Sequence, residues 1–144
     1  MTDNNNSTAD LTLACLALRF FLGFQLFLSG VDKFLTNGHF AGMAAYKLNM
    51  TRIAEGIAGG CFLPLWMTKP YAFTLPWLLL LSGIAIILGI KNRIGLALGA
   101  AIYTSLGIGL ILVREDIYIL GIYLGLTAAA LCLNKYNRFA LLKD

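Results

Sequence analysis

Between Leu75 and Ile90 the chain runs for 16 residues with Ser82 as its only polar side chain. A stretch like that has no face to offer water. A soluble helical bundle needs a continuous polar stripe on each helix, and this segment cannot supply one. A hydrocarbon core is crossed by about 20 largely apolar residues. Four stretches of this kind fill most of the 144 residues: 11–35, 71–90, 94–113 and 117–133. Hydrophobic residues make up 59% and charged residues 12%, which leaves no material for a soluble domain of any size.

The expected fold is therefore an all-α integral membrane protein, an up-down four-helix transmembrane bundle. The connections 91–93 and 114–116 are too short to allow anything but antiparallel neighbours. Residues 1–10 read as a disordered polar N-terminus, with Ser7 or Thr8 as a cap for a helix starting near Asp10. Residues 11–144 read as a single membrane domain. The first 14 residues contain Asp3 and Asp10 but no Lys or Arg, so they lack the basic start of a secretory signal, and the first span is expected to be retained.

One connection, 36–70, is long. Within it Phe40, Met43, Ala44, Leu48, Ile53 and Ile57 recur at near-helical spacing, interrupted at Asn49–Thr51 and closed by Gly59 and Gly60. This predicts two short amphipathic helices on the membrane surface, an interfacial segment between the first and second spans. Trp66, Tyr71 and Trp77 follow it and suit the lipid–water boundary.

The net charge of +4 is scattered through loops and helix flanks. A nucleic-acid surface needs clustered basic residues and stacking aromatics outside the bilayer, so no nucleic-acid partner is expected. Cys15, Cys61 and Cys132 are far apart and His39 is the only histidine. They form no metal-site spacing and cannot supply two haem ligands, so no metal or covalently bound cofactor is expected. With an even number of spans, Lys91, Arg93, Lys135, Arg138 and Lys143 share the side of both termini. Lys33, Lys47, Arg52, Lys69 and Arg114 fall opposite. The balance leans toward both termini in the cytoplasm, because the second group is spread along the longer connection.

The first span holds the unusual chemistry. Arg19 lies about 12 Å into it at 1.5 Å per residue. A charge at the centre of a bilayer costs from about 2.5 to more than 10 kcal/mol, depending on how it is measured. At 100° per residue Arg19, Gly23, Leu26, Gly30 and Lys33 form one stripe, with Gln25, Ser29 and Asp32 beside it. Two readings stand. The stripe holds an anionic or carbonyl-bearing ligand, the glycines making room for it; or Arg19 snorkels to one surface while Asp32 and Lys33 end the helix. Tyr103 is the tyrosine deep enough in its span to join a ligand site. Gly95 and Gly99 in the third span, and Gly121 and Gly125 in the fourth, have the four-residue spacing that lets helix backbones approach, within the chain or between copies of it.

With these residues in view, the chain resembles the DoxX family of small four-span membrane proteins, which includes the DoxD-type subunit of thiosulfate:quinone oxidoreductase. The segment LRFFLGFQLFLSGVDKFL matches its Arg, Gly and Gly-x-x-Lys pattern through Arg19, Gly23, Gly30 and Lys33. FAGMAAYKL and LPWLLLLSGIAIILGIKNR resemble its loop and second helix, ending in Leu88, Gly89, Ile90 and Arg93. Relatives often carry a glutamate four residues before a second-helix glycine, where this chain has Leu79 before Gly83. The resemblance implies a subunit or accessory of a quinone-linked oxidoreductase in a bacterial cytoplasmic (inner) membrane, acting on a small reduced sulfur compound. It would have a redox partner and a diffusible quinone. The alternative class is a non-catalytic assembly or stabilising subunit of a larger membrane complex.

Overall fold

The computed structural model describes residues 3–36, 38–60, 63–113 and 116–136; Cys61, Arg114, Glu115, Arg138 and Lys143 lie outside them. Five α-helices follow in order: α1 Asp3–Asp32, α2 Gly42–Gly60, α3 Leu65–Leu88, α4 Asn92–Val113 and α5 Tyr118–Leu133. A minimal antiparallel pair, β1 Leu35–Thr36 and β2 His39–Phe40, joins α1 to α2, and a 3₁₀ turn, Asn134–Tyr136, closes the described chain.

Three helices are long and apolar enough to cross a membrane: Ala9–Asp32 of α1, all of α3, and Asn92–Ile111 of α4. The fourth, α5, is apolar but 16 residues long. Their outer faces carry aliphatic and aromatic side chains, among them Leu13, Phe24, Leu28, Leu81, Ile108, Ile111 and Ile119, each more than half exposed. In water such a surface would be unfavourable at roughly 25 cal/mol per Å², whereas in lipid it meets a matching solvent. Arg19, Thr68, Ser82, Asn92 and Thr127 are the buried polar residues among those described.

Antiparallel registers define the packing. Gly23 of α1 meets Gly83 and Ile87 of α3, and Gly30 meets Leu80. Gly95 of α4 meets Ile86 of α3, and Tyr71 bonds Ser105 farther along the same pair. Leu120 of α5 covers Gly107 of α4, Tyr123 stacks on Tyr103, and Phe21 of α1 lies against Tyr123. The common core is Leu22, Leu26, Leu75, Leu79, Ile86, Leu96, Ile102, Tyr103 and Ala130.

The turn from α3 to α4 is tight. Gly89 takes the left-handed conformation, φ 69°, and its N–H returns to Ala85 and Ile86 while that of Ile90 reaches the Ala85 carbonyl. This closes the helix end from within the chain.

Three expectations are corrected. α1 begins at Asp3 rather than near Asp10. The interfacial segment is one 19-residue helix instead of two, because Asn49–Thr51 does not break it. Thr51 Oγ1 donates to the Lys47 carbonyl 2.8 Å away within the helix. Asn49 points its amide out of α2 to the Lys33 and Leu35 carbonyls, at 3.1 and 3.2 Å, at the end of α1. Finally, α3 starts at Leu65, six residues before the expected Tyr71, and runs through Pro70 and Pro76.

A proline inside a helix removes one backbone N–H and crowds the carbonyl a turn earlier. Where water is absent, the loosened carbonyls need new donors. Tyr46 of α2 reaches the turn before Pro76: its hydroxyl donates to the Phe73 carbonyl and accepts from Trp77 Nε1 at 3.2 Å. Phe34 stacks on Tyr46 at 5.1 Å, and Met50 completes this smaller core. Thr68 Oγ1 ties the start of α3 to the Ala54 carbonyl, 3.0 Å away. Thus α2 is clasped to the first half of α3 by hydrogen bonds and aromatic contacts.

Candidate functional site

Arg19 sits on the face of α1 that α3 covers, and is 4% exposed. Its Nη2 donates to the Ile87 carbonyl at 3.3 Å, and its guanidinium carbon stands 5.6 Å from the centre of the Phe20 ring. Ile87 lies in the last turn of α3, where carbonyls have no partner within the helix. A cation there satisfies a carbonyl and meets the negative end of the helix dipole. The sequence depth of Arg19 is thus matched in space by a helix end. Leu79, where the resemblance anticipates glutamate, lies eight residues from Ile87 along α3, about 12 Å, and is buried in the common core.

The glycines of the same stripe are filled. A Cβ on Gly23 would stand 2.6 Å from Ile87 Cγ1 and 3.2 Å from the Gly83 carbonyl oxygen; one on Gly30 would stand 2.8 Å from Leu80 Cγ. α3 therefore occupies the room that the first reading reserved for a ligand. Lys33, 14 residues beyond Arg19 and about 21 Å along the helix, pairs at the surface with Asp32, Nζ to Oδ2 3.4 Å. The structure does not bring Arg19 and Lys33 together.

Tyr103 lies in the core of the α4–α5 interface, its ring 5.7 Å from that of Tyr123. Its buried hydroxyl has no hydrogen-bond partner among the described residues. From α1 it shares the core with Leu22 and Leu26.

The two glycine pairs of the later spans differ. Gly95 and Gly99 are closed by Ile86 and by Leu26 Cδ1 with Ile86 Cδ1, at 3.2 Å or more. Gly121 and Gly125 have nothing within 4 Å of where a Cβ would be, and both are exposed on α5.

Sequence reasoning passed over three features. Gly83 meets backbone atoms of α1 more closely than any glycine singled out: its Cβ would lie 2.7 Å from Phe27 N and 2.9 Å from the Gly23 carbonyl oxygen. As the sole glycine between Leu75 and Leu88, in a run of bulky apolar residues, it was the available signal. Asn92, buried at the start of α4, donates through Nδ2 to Asn134 Oδ1 at 2.7 Å. Third, a groove of about 420 Å³ runs between α3 and α4, lined chiefly by leucine, alanine and isoleucine. Among the described residues no three His, Cys, Asp or Glu side chains converge.

No family model, no curated protein and no solved structure matches this chain.

Proposed function

We propose that this chain is a four-span membrane protein serving as a non-catalytic assembly or stabilising subunit of a larger membrane complex. The observation that carries the proposal is the contrast between its glycines. Gly23, Gly30, Gly83, Gly95 and Gly99 are filled by neighbouring helices of the same chain, while Gly121 and Gly125 on α5 face outward with nothing against them. Small residues on a lipid-facing helix let another helix approach closely, and that approach is the main attraction between helices in a membrane. The most conspicuous charge agrees with this role, since Arg19 is engaged with the end of α3.

In this reading α5 is the fourth crossing helix. Its antiparallel contacts with α4 run from Leu120 beside Gly107 to Asn134 beside Asn92, so it returns across the thickness that α4 spans. At 16 residues it reaches about 24 Å, and a slightly short helix is accommodated by local thinning of the bilayer. Both chain ends then lie on one side, the cytoplasmic side of a bacterial inner membrane. The complex served is a quinone-linked oxidoreductase of reduced sulfur compounds, a choice that rests on the resemblance of the first helix.

Purification in a mild detergent tests the role. A companion membrane protein is expected to co-purify with the native chain and to be lost from Gly121→Leu and Gly125→Leu, both of which remain folded. Recovery of the native chain alone, or retention of the companion by both variants, would overturn the proposal. Thiosulfate-dependent quinone reduction in membranes with and without the chain then tests which complex it serves.

A further inference from the structure

The depth of α2 is set by α3. Thr68 Oγ1 donates to the Ala54 carbonyl, and the Tyr46 hydroxyl donates to the Phe73 carbonyl and accepts from Trp77 Nε1, so α2 flanks α3 from Thr68 to Trp77. α1 stops at that level, since Phe34, two residues past its end, meets the Trp77 ring at 5.6 Å. A hydrocarbon core about 30 Å thick equals about 20 helical residues. Counted from Ile90, beside the exposed Lys91, it ends near Pro70. The boundary between acyl chains and headgroups therefore runs along α2.

The side of α2 turned away from α3 is both basic and apolar. At 100° per residue Lys47, Leu48, Arg52 and Glu55 fall within an arc of about 140°. All four are exposed, whereas Tyr46 and Met50 on the other side are buried. Lys69, exposed on α3 next to Thr68, adds a third cation at the same level. Among the described residues none of the three has an ion-pair partner: Asp32 is taken by Lys33, and Asp116 accepts the Tyr118 N–H. Unpaired charges are costly in hydrocarbon, so this face belongs in the headgroup layer. Trp66, about three-quarters exposed beside it, suits the same layer.

From this geometry we infer that the outward face of α2, together with Lys69, is a binding surface for anionic phospholipid, with Lys47, Arg52 and Lys69 on the headgroup phosphates and Leu48 on the acyl chains beneath. Three cations against the one carboxylate of Glu55 leave an excess of two positive charges. The phosphate of phosphatidylcholine is balanced by its own choline, whereas that of phosphatidylglycerol is not. The face therefore selects phosphatidylglycerol, by charge rather than by chain.

The full chain reconstituted in phosphatidylcholine vesicles tests this. One sample carries a trace of phosphatidylglycerol with a photoreactive diazirine close to the glycerol end of one chain; a second carries phosphatidylcholine with the same diazirine chain. After irradiation, adducts are mapped by mass spectrometry. The phosphatidylglycerol probe is expected to label residues 42–69 more strongly than the phosphatidylcholine probe does. Lys47→Gln and Arg52→Gln should each lower that enrichment about fivefold, the worth of about 1 kcal/mol per cation near an anionic lipid surface. The two combined with Lys69→Gln should erase it. Arg52→Lys, which keeps the charge, and Lys91→Gln, in the turn at the opposite end of α3, should leave it as it is. Equal labelling of 42–69 by both probes, enrichment that survives the triple variant, or an equal fall in Lys91→Gln would overturn the inference.

Discussion

Gly23 and Gly83 touch through their backbones: a Cβ on Gly83 would fall 2.9 Å from the Gly23 carbonyl oxygen, and one on Gly23 would fall 3.2 Å from the Gly83 carbonyl oxygen. Neither oxygen can move without moving its helix. The α1–α3 crossing is thus set by main chain against main chain, and Gly83→Ala should cost about 1–3 kcal/mol, the usual penalty of overpacking. Gly121→Ala and Gly125→Ala, with open space around them, should leave stability unchanged. Unfolding in mixed micelles followed by circular dichroism measures all three, and equal losses at the three positions would refute the crossing.

Arg19→Met keeps the length of the aliphatic stem and removes the donor to the Ile87 carbonyl. Hydrogen bonds involving a charged group contribute about 1.5–3 kcal/mol, and a loss of that size is expected in the same unfolding assay. Because the role is capping, the companion protein of the mild-detergent purification should be retained. A variant of native stability that loses the companion would instead assign Arg19 to the partner interface.

Tyr46→Phe leaves the stacking on Phe34 in place but deletes both hydrogen bonds of the hydroxyl, to the Phe73 carbonyl and from Trp77 Nε1. The expected loss is about 1–3 kcal/mol. It should come with a changed Trp77 fluorescence spectrum, read in a Trp66→Phe background. An unchanged spectrum would show that the clasp between α2 and α3 does not use this hydroxyl.

Asn92 and Asn134 join the start of α4 to the turn after α5 by one amide hydrogen bond. A double-mutant cycle with Asn92→Ala and Asn134→Ala should give a coupling of about 0.6–1.7 kcal/mol, the range for polar pairs between membrane helices. Additive losses would separate the two side chains.

The helices were legible where periodicity and apolar length speak alone: α4 and α5 end at Val113 and Leu133, where the sequence places them. The start of α3 was not, because Lys69 and Pro70 have the appearance of a boundary in isolation. The contacts that hold this half of α3, Tyr46 with Phe73 and Thr68 with Ala54, join α2 to α3 and cannot be seen in either segment alone. Asn49 misled for a similar reason, since its amide serves the end of another helix. Arg19, Gly23 and Gly30 each meet α3 in the structure, while Lys33 of the same stripe pairs with Asp32. Whether a ligand or a helix lies on that stripe depends on α3, which periodicity within α1 cannot reveal. Likewise the pairs Gly95 with Gly99 and Gly121 with Gly125 share a spacing and differ in what stands opposite.

The central claim, that α5 presents its open face to another protein while α1 turns Arg19, Gly23 and Gly30 to α3, is tested most directly by photocrosslinking in intact membranes. A benzophenone amino acid is placed at Ile122, exposed on α5 beside Gly121, and in a separate variant at Leu28, exposed on the outer side of α1. The account predicts a discrete adduct with a second polypeptide from position 122 and none from position 28. No protein adduct from position 122, or the same adduct from both, would contradict it.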